Sequence, residues 1–325
     1  MRYNIMAIDH SFMIRKIQTL PEMFVIFSQL TKQPYVTCDE ETFDDQIHIF
    51  TDAQKAHAFV QESTEQKKIP VVSVKVDANQ FLHFYGTLYS IGINTVVLHD
   101  MEADTVLPLE AIVHRRHNPD DIPPEKRPIT NPELLLTSLY FLQEMRRPIP
   151  DEEKTNLQEL DEELVANLVR GRFLSGIIAE DEETAGTSED AKGEDTPKMK
   201  KNNIRVPYIN NQKGEMYQAI FTDGYELQKF DPKKRLRPVV IKFEDLEKFL
   251  VKDAKGYVLN PVSTALPLRR EQLPAFKKRL ILSSSSNSSS TSNGSRPSRS
   301  ILLMKMITGV FLMRHIAGEN AGVSG

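Results

Sequence analysis

The sequence predicts an α+β protein made of two tandem related domains, each a mixed β-sheet with helices packed on it. Three observations carry that reading. The tetrapeptide Ile49-Phe50-Thr51-Asp52 recurs as Ile220-Phe221-Thr222-Asp223, and each copy closes an apolar strand-like run and opens a polar helix-like one. The stretches flanking the two copies match in the same order along the chain. Alternating and helical apolar spacings also interleave throughout, as sheets with helices packed on one face require.

The chain opens with helical spacing, Ile5, Ile8 and Phe12, then Met13, Ile17 and Leu20. Thr19 with Glu22 three residues later predicts a capping box for a helix from Leu20 to Leu30. The run Met23 to Phe27 is equally compatible with a buried strand. Pro34 to Cys38 and Gln46 to Phe50, separated by an acidic turn, predict an antiparallel hairpin. Thr51 then caps a helix from Asp52 to about Glu62, with Gln54 completing a box. Pro70 to Val74 is a third strand, and Asn79 to Ile91 a second helix ended by Gly92. Thr95 to His99 and Val106 to Leu109 are two more strand-like runs.

The later half answers this order. Pro207-Tyr208 answers Pro34-Tyr35, and Asp223 with Glu226 offers a capping box in the second copy of the corner. Pro238-Val239-Val240 answers Pro70-Val71-Val72, Gly256 answers Gly92, and Val258-Leu259 answers Val97-Leu98. Leu266-Pro267-Leu268 answers Leu107-Pro108-Leu109. Between the halves, Asn131 and Pro132 open a helix with Leu134, Leu135, Leu139 and Leu142 on one face. A second helix starts at about Asn156 with Leu157, Leu160, Leu164 and Leu168 on one side. These two helices are expected to serve the second domain as residues 5–30 serve the first.

The expected boundaries are residues 1–128 for the first domain and 129–282 for the second. The second holds an acidic insertion at 179–203 whose polar composition cannot offset the entropy of ordering. Residues 283–300 are a Ser-rich linker and 301–325 a tail, apolar over 301–313.

Composition excludes more than it identifies. The 325 residues carry a formal charge of -4, so nothing favours nucleic acid as a partner. Cys38 is the single cysteine, which rules out an intrachain disulfide and suits a reducing compartment. No apolar run reaches the roughly 18 residues of a membrane span, and the start lacks a secretory core. The expected location is the cytoplasm.

Val206-Pro207-Tyr208-Ile209, the polar turn, Ile220-Phe221-Thr222-Asp223, Pro238-Val239-Val240 and Gly256-Tyr257-Val258-Leu259-Asn260-Pro261 resemble the bacterial SseB family, the enhanced-serine-sensitivity proteins. Residues 204–280 carry the resemblance, and residues 34–113 read as a diverged copy in which His99-Asp100 replaces Asn-Pro. The resemblance implies an SseB-like fold in tandem and no defined chemistry. The name is shared with a type III secretion translocon component, whose heptads and membrane spans this chain lacks, so that activity is not carried over.

The candidate partner-binding residues are Phe50, Thr51 and Asp52, their counterparts Phe221, Thr222 and Asp223, and the turn residues Asn260 and Pro261. A helix start exposes N–H groups that bind anions, and a bare helix cap on a buried aromatic explains the same residues. Asn260-Pro261 also suits a turn for conformational reasons alone. His114-Arg115-Arg116-His117 is the densest basic cluster, without a third metal ligand at suitable spacing, and reads first as a solvated loop. Cys38, beside Asp39, Glu40 and Glu41, has neighbours that suppress a thiolate, and the bland alternative is a half-buried thiol. Phe81, Tyr85 and Tyr89 share helical spacing, which reads as packing. No catalytic residue, cofactor or metal site is expected. The expectation is a non-enzymatic protein-interaction or regulatory module with an unidentified protein partner. The alternatives are a sulfur-handling or thiol enzyme using Cys38, and a membrane-tethered adaptor using residues 301–313.

Overall fold

The computed structural model describes residues 2–101, 103–114, 121–123, 126–154, 156–178 and 206–286. The acidic insertion at 179–203, residues 287–300 of the linker, the tail at 301–325 and Arg115 to His117 lie outside the described residues. The fold is α+β, with helices and mixed sheets.

The first half runs α1 (Arg2–Thr19), β1 (Glu22–Ser28), β2 (Val36–Cys38), β3 (Asp45–Phe50), α2 (Ala53–Glu65), β4 (Val71–Asp77), α3 (Phe81–Ile91), β5 (Thr95–His99), β6 (Asp104–Pro108) and α4 (Leu109–Ile112). Its sheet has the order β4-β1-β3-β5-β6, with β2 also paired to β3. The expected hairpin is β2 and β3, antiparallel, and β3 and β5 are parallel. The helix expected from Leu20 to Leu30 is instead β1, flanked on both sides by antiparallel partners. Five of its seven residues are aromatic, β-branched or otherwise apolar, and a strand buried on both faces leaves no periodicity to separate it from a helix. The Thr19 hydroxyl caps nothing ahead of it; it donates back to the Arg15 and Lys16 carbonyls in α1.

The second half runs α5 (Pro132–Met145), α6 (Leu157–Arg170), β7 (Arg172–Ile177), β8 (Tyr208–Asn210), β9 (Met216–Ile220), α7 (Gly224–Phe230), β10 (Arg237–Lys242), α8 (Leu246–Phe249), β11 (Gly256–Leu259), β12 (Leu266–Arg269) and α9 (Leu273–Ser286). Strand β7 was not expected, because Ser175 and Gly176 interrupt its apolar run. Helix α9 continues through Ser283 to Ser286, the first residues of the expected linker, since propagating an existing helix is cheap compared with starting one.

The strand neighbours correspond. β3 lies beside β2, β5 and β1; β9 lies beside β8, β11 and, through the single Leu174–Phe221 bridge, β7. β9 and β11 are parallel like β3 and β5. Register corrects four of the letter matches. Leu98 faces Ile49 and Leu259 faces Ile220, so Gly256 stands where Thr95 does, not Gly92. Gly92 ends α3 at φ +90°, whereas Gly256 opens a strand where a Cβ would lie 2.1 Å from the Leu268 carbonyl oxygen. Leu268 takes the place of Leu107, Val240 that of Lys75 and Tyr208 that of Val36, so the three proline matches align letters, not positions.

The core follows from strand alternation. Val25, Ile47, Ile49, Val96, Leu98 and Leu107 face the helices α1, α3 and α5; Ile26, Phe50 and Val71 face α2 through Ala56 and Phe59. Phe81 and Tyr85 pack in the first core, as expected. The leading helix pair expected in the first half is one helix, α1, whereas the second half has both α5 and α6, and α5 also serves the first core. Leu135, Leu136 and Leu139 join the first core, and Leu134, Phe141 and Leu142 the second.

Candidate functional site

Each corner forms because a strand ends against its parallel neighbour and the chain must turn into a helix without orphaning N–H groups. The cap in both is the aspartate, not the threonine. Asp52 accepts from the N–H groups of Gln54 and Lys55 at 3.0 and 2.9 Å, and Asp223 from those of Tyr225 and Glu226 at 2.8 and 3.0 Å. The threonine instead ties the corner to the neighbouring strand's end.

That tie differs between halves. In the second, the fully buried Asn260 accepts from the Thr222 N–H and donates to the Thr222 hydroxyl, both at 2.9 Å; that hydroxyl donates to Asp223 at 2.8 Å. Asn260 sits at φ +49°, a left-handed conformation asparagine tolerates better than most residues. In the first half, the Thr51 hydroxyl donates to the Asp100 carboxylate at 2.8 Å, and Lys16 pairs with the other Asp100 oxygen. Burial acts to raise the Asp100 carboxyl, but Lys16, Thr51 and the Met101 N–H outweigh it and hold it below the usual carboxylate range.

Phe50, Phe221, Thr222, Asp223, Asn260 and Pro261 are thus buried, and the polar ones among them are consumed by internal bonds. Thr51 and Asp52 keep partial exposure. The two corners close different sheets.

A cavity of about 790 Å³ lies instead where the first sheet meets α5. Its floor is Gly92 to Thr95, with Asp44 and Asp45 at the start of β3, Leu109 and Glu110 at α4, and Pro132, Glu133 and Leu136 on α5. The Asn94 side chain donates to Asp44 and accepts from the Asp45 N–H, each at 3.0 Å, and the Tyr140 hydroxyl donates to Asp45 at 2.8 Å. Burial raises the Asp45 carboxyl, with Asp44 adding to the shift and Tyr140 opposing it. Burial likewise raises nearby Glu163, reinforced by Asp45 and Glu133. The lining is therefore acceptor-rich and negative, with Tyr89 and Leu136 as apolar surface and His114 at the rim. The sequence marked Asp44 and Asp45 as turn residues only; nothing local shows that α5 will close over them.

Cys38 is exposed, not half-buried. Its thiol is pushed up by burial, then by Asp45, Asp39 and Asp44, so Asp39 acts as expected while Asp45 and Asp44 act where Glu40 and Glu41 were expected. Among the described residues no His, Cys, Asp and Glu cluster suits a metal ion, and no helix is long and apolar enough to cross a membrane.

Residues 154–275 match the family model of the SseB protein N-terminal domain. The matched range runs from before α6 to the start of α9 and leaves out α5 and residues 34–113. No curated protein matches the chain. Two solved structures are similar, Tic22 from Plasmodium falciparum at 10% identity and Anabaena Tic22 (protein transport) at 9%. The first alignment covers 83% of this chain and 98% of the other, with a TM-score of 0.19. The second covers 71% and 81%, with a TM-score of 0.20.

Proposed function

We propose that this SseB-like chain is a non-enzymatic protein-interaction module that receives a basic segment of a protein partner in the cleft between the first sheet and α5. The acidic cavity carries the reading. Its volume of about 790 Å³ lies within the range of ligand pockets, and Glu110 and Glu133 stand exposed at its rim above the half-buried Asp44 and Asp45. Lysine or arginine side chains would meet carboxylates there, and the stems would cover Tyr89 and Leu136. The raised Cys38 thiol does not favour a thiol enzyme, and the tail invoked for membrane tethering lies outside the described residues.

Two tandem copies of one unit, at 1–128 and 129–282, remain part of the proposal, supported by the corresponding strand neighbours and twin aspartate caps. A cytoplasmic location belongs to it too, supported by the lone cysteine.

The test is fluorescence anisotropy of a labelled Lys/Arg-rich peptide with the full chain. Binding should weaken at least about tenfold in the combined variant Asp44→Asn, Glu110→Gln, Glu133→Gln, a loss of about 1.4 kcal/mol. Equal affinity in both proteins, or no binding at low salt, overturns the reading. Cytoplasmic location is checked separately by fractionation.

A further inference from the structure

On the face of the first sheet that packs against α2, four strands each contribute one polar side chain to a single row. The Thr37 hydroxyl of β2 lies 3.1 Å from His48 Nε2 of β3, and His48 Nδ1 lies 3.0 Å from His99 Nε2 of β5. His99 Nδ1 lies 2.9 Å from the Asp104 carboxylate of β6. Register explains the row: His99 pairs directly with Asp104, while His48 is diagonal to His99 and to Thr37.

Aromatic rings clamp the imidazoles. The two histidines stack at 5.2 Å between centroids, Phe50 stacks on His99 at 4.2 Å, and Phe59 of α2 lies 5.0 Å from His48, with Tyr35 beyond it at 6.2 Å. In the second half the corresponding strand positions hold Ala219 and Asn260, so the row belongs to the first half alone.

Hydrogen-bond capacity then fixes the protons. A carboxylate only accepts, so His99 carries its proton on Nδ1 and accepts at Nε2. His48 therefore carries its proton on Nδ1 and accepts the Thr37 hydroxyl at Nε2. Every donor points towards Asp104. One added proton, placed on His99, reverses the inner part of the row: His99 Nε2–H donates to His48 Nδ1, and the His48 proton moves to Nε2 and donates to Thr37. All bonds survive. A second proton leaves N–H facing N–H between two adjacent cations, and the contact cannot be kept.

We propose that the Thr37–His48–His99–Asp104 row is an acid-sensing latch, which stores one proton by reversing its hydrogen bonds and releases the α2 face of the first sheet on taking a second. It stands independently of the cleft. Burial, the charge of His99 and Lys67 outweigh Asp104 and lower His48 to about 4; burial and Lys55 outweigh Asp104 and lower His99. The other charges at this face are spoken for: Asp100 is held by Lys16 and Thr51, and Glu144 of α5 pairs with Arg147 just past its end, beside Tyr35. Both histidines are depressed, so their contribution is complete above pH about 6.5 and is lost as pH falls towards the folded value. Local opening that restores an ordinary histidine should be favoured about thirtyfold at pH 5 relative to pH 7.5 through His48 alone.

Long-range proton–nitrogen NMR of the full chain tests this, combined with hydrogen exchange corrected for its intrinsic pH dependence. At neutral pH both rings should carry Nδ1–H. As His99 protonates, His48 should switch to Nε2–H, and exchange in β5 and α2 should rise about thirtyfold by pH 5. His48→Phe keeps a ring in the stack but holds no proton, and should abolish most of that rise. Asp104→Asn, at an exposed position, should move the His48 switch to lower pH. A neutral-pH Nε2–H on either ring, or an undiminished rise in His48→Phe, overturns the proposal.

Discussion

Asn260 and Asp100 do one job with different chemistry: each gives a threonine at the end of the central strand its missing partner. In the second half a neutral amide supplies an acceptor and a donor; in the first, a carboxylate accepts and a lysine offsets its burial. The consequences for mutation differ. Asn260→Ala strands the fully buried Thr222 N–H, leaves the Thr222 hydroxyl only its bond to Asp223 and puts alanine at φ +49°, so chemical denaturation should show a loss of about 3 kcal/mol. Asp100→Asn keeps an acceptor for Thr51 and loses only the ion pair with a partly exposed lysine, so about 1 kcal/mol is expected. A larger loss at Asp100 than at Asn260 contradicts this account. The pH signs follow. The depressed Asp100 contributes above its ordinary carboxylate pKa and is lost as pH falls through its folded value, whereas the Asn260 tie does not titrate. The corners were legible because capping is local, although the cap expected at Thr51 is Asp52 and only the Asp223 cap was read as an aspartate. The threonine's true partner was not legible, because it lies 38 or 49 residues away.

At the scale of elements, α5 is the piece whose sequence said least about its task. Its leucine ladder announces a helix, and its leucines are shared between two cores. Its polar residues do as much. Gln143 accepts from the Val36 N–H at 3.1 Å and donates to the Val36 carbonyl at 2.9 Å, standing in for a strand beside β2. Arg146 donates to the Leu30 carbonyl at 2.7 Å and to that of Thr264 at 3.1 Å, bridging the halves. Gln143→Ala should therefore leave both buried groups of Val36 unpaired and cost about 2–4 kcal/mol, with faster exchange confined to β2 and β3. A uniform effect over the whole chain would show that the bonds to β2 are not what was lost. Strand β1 shows the opposite failure of reading. Its residues were all visible, but a doubly buried strand and a buried helix share one apolar signature, and only its partners β3 and β4 separate them.

For the whole molecule, the expected boundary at 128/129 assigns α5 to the second half, while Leu135, Leu136 and Leu139 complete the first core. A fragment of residues 1–128 lacks that burial, worth roughly 5–9 kcal/mol at 1.5–3 kcal/mol per leucine, against a typical total of 5–15 kcal/mol. It should unfold at far lower denaturant than a fragment of residues 1–150, as urea titration followed by circular dichroism would show. Equal midpoints would mean that the first half closes its core without α5.

Local chemistry was written in the chain: the α+β class, the hairpin, the strand-to-helix corners and the apolar ladders all rest on residues a few positions apart, where propensity, periodicity and capping act. The acidic cleft, the histidine row, the Asn260 tie and the sharing of α5 were decided only by folding. Each depends on side chains from distant strands meeting in one register, and register comes from the packing of the whole sheet, which no short window of sequence contains.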